Sequence, residues 1–392
     1  MALKGTNQEL GRPHNRRIVL EAIRQEGPVS RSEIARRVGL TVQTVSTITS
    51  ELHGRGFISL TPGKPKGRGF PAPSFEVNPE GGFACGVYVT PRGIEAGLMN
   101  LSGKLLDRRE LSETQMSADR ALNAIPAMVE DLVSGRPASR IIGVGMAMPG
   151  PFDIESMSFV GPTTMQEWRG VDIYGRLQAA IPFPVFMDVD SAAAAHGERL
   201  YGIGDRIRNF YYLYLGVGLG GSVIYDGQVM RGAWGNAGEI GHVPLVPDGD
   251  PCPCGNRGCL ERYISLEAYE RRVAEIGEDA WLREIAPIFR AAIVTVENLF
   301  DIEAVVLGGL APMDLRRKLV ALAADLPNSL AARRDRAVPR VVLSDSGSDA
   351  VIRGAASLAV SRVFSPGSAA MDELSGDNDD LFSRSFEKEG TA

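Results

Sequence analysis

Gly241-His242, followed by Cys252-Pro253-Cys254-Gly255-Asn256-Arg257-Gly258-Cys259-Leu260-Glu261, is the stretch that decides how this chain is read. Three of the four cysteines fall within eight positions, and a histidine sits ten residues upstream. Thiolate sulfur and imidazole nitrogen are the ligands tetrahedral zinc prefers, and Cys3His is a common closed structural set. A Cys-x-Cys pair is tighter than the usual zinc-finger spacing. Pro253 stiffens the turn, and Gly255 and Gly258 permit the dihedrals that let the pair span two corners of a tetrahedron. Thiols buried for packing suit so polar and Gly-rich a loop poorly, and a disulfide would leave one thiol over. The expected set is a structural Zn2+ held by His242, Cys252, Cys254 and Cys259. Cys85, far away in an apolar run, reads as a core residue.

At 392 residues the chain exceeds one ordinary domain. An apolar share of 44% is that of a soluble globular protein. No run of about 18 apolar residues suggests a membrane span. The Met-Ala-Leu-Lys start lacks a hydrophobic signal core, so a cytoplasmic, reducing location is expected. The net charge of −6 hides an asymmetry. Residues 1 to 70 carry 12 Lys and Arg against 5 Glu, a balance of +7; the remainder, with 30 basic and 43 acidic residues, stands at −13. A basic head on an acidic body implies that the head alone meets a polyanion.

In the head, residues 1–78, His14 to Glu26 reads as a helix with Ile18, Val19, Ala22 and Ile23 on one face. Gly27-Pro28 ends it. Ser30-Arg31-Ser32-Glu33 is a capping-box pattern opening a short helix with Ile34, Ala35 and Val38 inward. Gly39 turns the chain, and Thr41 caps a third helix with Val45, Ile48 and Leu52 on its inner stripe. Two helices joined by a Gly-containing turn are the helix-turn-helix arrangement. The polar outer positions Gln43, Thr44, Ser46 and Thr47 suit base edges or phosphates. Arg31 and Thr41 join them as candidate DNA contacts. Two alternating stretches, Gly56 to Leu60 and Ser74 to Val77, flank Gly63-Lys64-Pro65-Lys66-Gly67-Arg68-Gly69, which completes a winged helix-turn-helix. Lys64, Lys66 and Arg68 either enter a narrow A·T-rich minor groove in the manner of an AT-hook or form a basic linker touching phosphates. The bland alternative for the whole head is a helical protein-interaction module.

In the body, apolar strands are expected at Phe83–Val89, Ile94–Asn100, Ile141–Ala147, Pro184–Val189, Phe210–Leu215, Ser222–Tyr225 and Ala304–Leu307. Helices are expected at Ala121–Val133 and from Ser191. Alternation of this kind argues an α/β fold with ligands at strand ends. The polar tail, residues 373–392, reads as disordered.

Ala237-Gly238-Glu239-Ile240-Gly241-His242 with the Cys-Pro-Cys-Gly-Asn-Arg-Gly-Cys-Leu-Glu run resembles the signature of the ROK family (repressors, open reading frames and kinases). Leu3-Lys4-Gly5-Thr6-Asn7, Asn15-Arg16-Arg17 and Thr44-Val45-Ser46 look like the head of ROK transcriptional regulators. The resemblance spans nearly the whole chain short of the tail. It implies an actin-like (ribonuclease H-like) ATPase fold of two lobes, residues 79–190 and 191–372, the second carrying the zinc loop and a dimerisation surface. It also implies that Asp190, Glu239, His242 and Glu261 contact a sugar, Asp190 falling on the kinases' catalytic base. A helix N-cap role for Asp190 is an open alternative.

Against that pattern, Tyr88-Val89-Thr90-Pro91-Arg92-Gly93 stands where ROK kinases carry Asp-x-Gly-Gly-Thr-Lys. Tyr88 replaces the magnesium-organising aspartate, and Pro91 has no N–H for a phosphate. Gly216-Val217-Gly218-Leu219-Gly220-Gly221 keeps the second loop without its threonine. Gly308-Gly309 is either an adenosine-side turn or a plain strand-to-helix turn. Val189 and Ala192 stand where sugar binders have asparagines, which points to a sugar with fewer or differently placed hydroxyls, an alditol or a sugar derivative.

The expectation is a sugar-responsive transcriptional regulator, a repressor, with no enzymatic activity. It would act as a homodimer or dimer of dimers on a near-palindromic double-stranded DNA operator, away from membranes. The alternatives are an active ATP-dependent sugar kinase with a DNA-binding head and a ligand-free architectural DNA binder.

Overall fold

The computed structural model describes residues 12–62, 73–113, 116–153, 158–159, 165–333, 335–347 and 349–364. The wing residues Lys64, Lys66 and Arg68, the stretch 3–7 and the tail 373–392 lie outside them.

The head is built from α1 (Arg12–Glu26), β1 (Val29–Ser30), α2 (Arg31–Val38), α3 (Val42–Gly54), β2 (Ile58–Thr61) and β3 (Ser74–Val77), with the strands paired in the order β1-β3-β2. Local chemistry sets its boundaries. Ser30 accepts from the Glu33 N–H while Glu33 reaches back to the Ser30 N–H at 3.0 Å, so the capping box closes α2. Gly39, at φ 69°, ends it in the left-handed conformation that glycine adopts without strain. Thr41 caps α3 through the Thr44 N–H at 3.1 Å. The inward residues Ile34, Val38, Val45, Ile48 and Leu52 are buried, as the apolar spacing predicts.

Two five-stranded sheets follow. The first contains β4 (Phe83–Thr90), β5 (Gly93–Asn100), β6 (Leu105–Ser112), β7 (Ile141–Met148) and, past the short pair β8 (Phe152–Asp153) and β9 (Ser158–Phe159), β10 (Val185–Val189). The second contains β11 (Phe210–Leu215), β12 (Leu219–Tyr225), β13 (Gln228–Val229), β14 (Ala304–Gly309) and β15 (Val341–Leu343). Their orders, β10-β7-β4-β5-β6 and β13-β12-β11-β14-β15, are one plan used twice. In each, an antiparallel meander of three strands is extended by two strands parallel to the first. β6 was not evident in the sequence, because its partly exposed face breaks the apolar run.

The helices are α4 (Ala118–Val133), α5 (Ile173–Ala180), α6 (Asp190–Tyr201), α7 (Leu266–Ile276), α8 (Glu278–Phe300), α9 (Met313–Leu322) and α10 (Ala350–Phe364). α6 follows the first sheet yet lies mainly against β12 and β11 of the second. α10 follows the second sheet and lies on β7 and β4 of the first. The two helices pack on each other between the sheets. Their crossing is close because it is made of small residues: a Cβ on Gly354 would meet the Ala193 carbonyl at 2.3 Å. No helix among the described residues is long and apolar enough to cross a membrane.

Candidate functional site

The parallel strands β4, β7 and β10 of the first sheet and β11 of the second all end toward one cleft, the place where open α/β sheets hold ligands. β10 delivers Asp190 as the first residue of α6; the cap position belongs to Val189. Asp190 therefore does not serve as the N-cap, although its Oδ1 accepts the Ser191 N–H at 2.8 Å. Burial pushes its carboxyl up to about 7, with Glu239 adding repulsion and the Ser191 N–H opposing.

Tyr88, at the end of β4, turns its hydroxyl to Asp190 Oδ2 at 3.5 Å and to the Tyr214 hydroxyl at 3.3 Å. Both phenols are buried. Tyr214 was not singled out in the sequence, where it is one aromatic in a run of strand residues. Two buried phenol rings thus lie beside Asp190.

The opposite wall comes from residues 231–261. Gly238, at φ 102°, crosses Gly221 so closely that a Cβ would lie 2.8 Å from the Gly221 carbonyl. That crossing, with Tyr211 donating to the Gly238 carbonyl, sets Glu239 beside the cleft. Burial raises the Glu239 carboxyl above the ordinary range, His242 opposes the shift and Glu261 adds to it. Glu261 is held by the Leu219 N–H at 2.9 Å. Leu219 meets Glu261, Gly220 meets Ser191 and Gly221 meets Gly238, so the start of β12 touches the segments that carry Glu261, Asp190 and Glu239. Three carboxylates accept hydrogen bonds and an imidazole ligated through Nδ1 donates one from Nε2–H, a set that suits the several hydroxyls of a polyol.

Arg231 donates to Asp188 in a two-pronged pair, Nη1 to Oδ1 and Nη2 to Oδ2, both at 2.6 Å. Asp188 is on β10 of the first sheet and Arg231 follows β13 of the second, so the pair clasps the two lobes beside Asp190. The sequence gives no sign of it, since the partners are 43 positions apart.

The four expected metal ligands also converge. Single ligand atoms of His242, Cys252, Cys254 and Cys259 all lie within 4.8 Å of one another. Cys254 and Cys259 sulfurs are 3.6 Å apart, and Cys252 sulfur is 3.7 Å from His242 Nδ1. A tetrahedral zinc has ligand–ligand edges of about 3.8 Å between sulfurs and about 3.6 Å from sulfur to nitrogen, so this donor set fits a metal ion of that kind. With Nδ1 facing the thiols, Nε2 is left for the cleft. Burial, with the neighbouring thiols, pushes Cys259 up to about 12. Cys85 is a fully buried core residue of β4.

On the head, Gln43 and Thr47 are exposed and Thr44 and Ser46 half-buried on α3. Thr44 and Thr41 hydroxyls pair at 2.8 Å, and Thr47 bonds the Gln43 carbonyl at 3.2 Å. Arg31 turns inward: its Nε donates to Thr49 at 3.3 Å and its guanidinium lies over Phe75 at 4.8 Å. Val42, 53% exposed at the start of α3, was passed over because it is apolar. A methyl-bearing side chain there can meet thymine methyl groups.

The sequence pattern of winged helix-turn-helix DNA-binding domains matches residues 12–59, and that of the ROK family matches residues 85–362. The xylose repressor of Caldicellulosiruptor bescii is 31% identical over 67% of this chain and 66% of its own length. The Escherichia coli DNA-binding transcriptional dual regulator NagC is 28% identical over 69% and 67%. A Streptomyces coelicolor glucokinase is 33% identical over 48% of this chain and 58% of its own. The chain thus spans about two thirds of the length of the regulators it matches. Among solved structures, a ROK family transcriptional regulator homologous to the E. coli MLC protein superposes with TM-score 0.70 at 24% identity, covering 93% of this chain and 99% of that one. A Streptomyces griseus ROK glucokinase, solved with glucose and AMPPNP, gives TM-score 0.60 at 25% identity over 71% and 99%. With the signature residues around Glu239 and Cys259 and the duplicated sheet plan, the match over residues 85–362 shows that the chain belongs to the ROK family.

Proposed function

We propose that the chain is a sugar-responsive DNA-binding transcriptional regulator, a repressor, whose kinase-like body binds a sugar without phosphorylating it. One observation supports the reading: Tyr88, which by resemblance replaces the kinases' magnesium-organising aspartate, sets its hydroxyl 3.5 Å from Asp190, while Asp190, Glu239, His242 and Glu261 are all retained in the sequence. A kinase needs a phosphate cradle and a charge-neutralising metal as well as a base. A regulator needs the ligand contacts alone. The similarity to xylose repressors, with a winged helix-turn-helix match ahead of the ROK match in this chain, supports this.

In this reading Glu239 and Glu261 accept hydroxyls at one end of the sugar and Asp190 at the other, with His242 Nε2 between. Zn2+ on His242, Cys252, Cys254 and Cys259 stiffens the loop that carries three of these contacts and supplies no chemistry. Val189 and Ala192 remove amide donors, favouring a sugar with fewer or shifted hydroxyls, an alditol or a derivative. On DNA, Gln43, Thr44, Ser46 and Thr47 face the major groove with Thr41, and the wing residues Lys64, Lys66 and Arg68 enter the minor groove or touch phosphates. Arg31, engaged with Thr49 and Phe75, braces α3 and reaches phosphate only by leaving them. One recognition helix covers few base pairs, so specificity comes from a homodimer on a near-palindrome.

The kinase alternative retains one supporting feature, a buried Asp190 with a carboxyl near 7, suited to a general base. Two assays on one aldose and alditol panel separate the readings. A sugar that raises the melting temperature without ADP release from MgATP is the expected result. Turnover of roughly 1 per second or more would establish the kinase, and no thermal response to any member would leave the architectural reading.

A further inference from the structure

We propose that the head is fastened to both lobes, and that Arg24 is the residue through which a change in lobe angle reaches it. The inference rests on the reading that a sugar binds between the lobes.

The first fastening is at the far end of α6. That helix starts at Asp190 in the cleft and ends at Tyr201, a rod of about 18 Å at 1.5 Å per residue. At its end the Leu200 carbonyl accepts from Arg24 Nη1, and Asp205, just beyond, pairs with Arg24 Nη2 at 3.0 Å. Arg24 lies on α1 of the head and is held by Glu21 of the same helix, Nε to Oε2 at 2.8 Å and Nη2 to Oε1 at 2.9 Å. Gln25 steadies Glu21 at 2.7 Å. Arg24, Glu21 and Arg199 are all less than a tenth exposed. Arg24 therefore meets two anions, Glu21 of the head and Asp205 of the body, with Arg199 buried one residue before Leu200. The Arg24–Glu21 pair is buried and fixes the guanidinium on α1, so the Leu200 carbonyl and the half-exposed Asp205 hold the body to a rigid donor.

The second fastening is on the other lobe. Arg140, just before β7 of the first sheet, donates through Nη1 to the Arg55 carbonyl at 2.8 Å and to the Gly81 carbonyl at 3.2 Å. Within the head, Asn78 donates to the Gly56 carbonyl at 2.8 Å and steadies the same turn. These grip the turn after α3, the helix that faces DNA.

Between the fastenings runs the crossing of α6 and α10. A Cβ on Gly197 would sit 3.1 Å from the Gly354 Cα, and one on Gly354 would meet the backbone of Ala193 and Ala194, so small residues line the crossing. Smooth packed helices slide in the shear mode of domain motion. A 10° turn moves the end of an 18 Å rod by about 3 Å, more than a hydrogen bond stretches. With Arg140 holding one side and Arg24 the other, the head must turn with the lobes.

Hydrogen exchange of the full zinc-replete chain tests this. D-Xylose, D-glucose and N-acetyl-D-glucosamine are screened, and the one that most raises the melting temperature is used. In the parent, sugar changes exchange in the body around Asp190 and Glu239 and also in α1. In Arg24→Met and in Asp205→Asn the body response persists and the α1 response is lost; Arg24→Met leaves Glu21 without its partner and lowers the head's melting temperature, whereas Asp205→Asn keeps the Arg24–Glu21 pair and the head melts as in the parent. Asp205 is 43% exposed, so its substitution leaves packing intact. An α1 response of parental size in both variants overturns the inference, as does a parent whose body responds and whose α1 does not. A parent with no body response to any of the three instead overturns the sugar reading, and this inference with it.

Discussion

Asp188→Asn perturbs the clasp between the lobes at one atom. The parent pair is two-pronged, with both contacts at 2.6 Å, and the Asp188 side chain is 3% exposed. Removing one partner of a buried pair costs about 3–5 kcal/mol. Arg231 is 26% exposed, so water recovers part of that, and the low end, about 3 kcal/mol, is expected. At about 2–4 °C per kcal/mol for domains of this size, the body should melt roughly 6–12 °C lower. Calorimetry of the zinc-replete protein measures it. Asp188→Leu with Arg231→Met removes both charges and should regain part of the loss, yet not sugar binding, because Arg231 begins the loop that positions Glu239. A single-variant shift below about 1 °C would show that the pair behaves as an exposed bridge and does not clasp the lobes.

Three further outcomes are expected. Metal analysis should give one zinc per chain, and zinc affinity should fall as pH falls, because three thiols must release protons to bind; a metal-free protein of unchanged stability would refute the assignment. Sugar affinity should rise with pH through about 7, since Asp190 is held protonated below that point and accepts hydroxyls best when ionised. The matching stability effect has the opposite slope. The folded state keeps a proton that the unfolded chain has released, so stability contributed by Asp190 falls as pH rises from about 4 to about 7. Asp190→Asn should flatten both profiles. Arg68→Ala should weaken binding to A·T-rich flanks more than to G·C-rich ones; equal loss would make the wing a phosphate contact.

What the sequence revealed, and what it hid, follows from the range of each interaction. The head was legible because caps, turn glycine and apolar stripe act within four residues: Ser30, Gly39 and Thr41 stand where their chemistry demands. The metal cluster was legible because its ligands are close in sequence and few alternatives suit such residues. The carboxylates at Asp190, Glu239 and Glu261 were found through family resemblance, since nothing local distinguishes them from surface acids. The Asp188–Arg231 clasp, the Tyr88–Tyr214 contact and the Arg24–Asp205 joint join residues 43, 126 and 181 positions apart, and only the fold brings them together. Arg31 read as a free cation beside the recognition helix, but the aromatic face of Phe75 and the Thr49 hydroxyl draw it inward.

The central claim is that sugar in the body changes DNA affinity in the head. Fluorescence anisotropy of the full chain on labelled fragments from upstream of its own gene measures this, with and without each sugar of the panel. At least one sugar should change affinity by roughly 5- to 150-fold, the ordinary range of such coupling, and Glu239→Gln should bind DNA and zinc as the parent does but lose the response. A parent that binds a sugar and holds its DNA equally tightly with and without it would contradict the claim, as would a Glu239→Gln protein that responds in full.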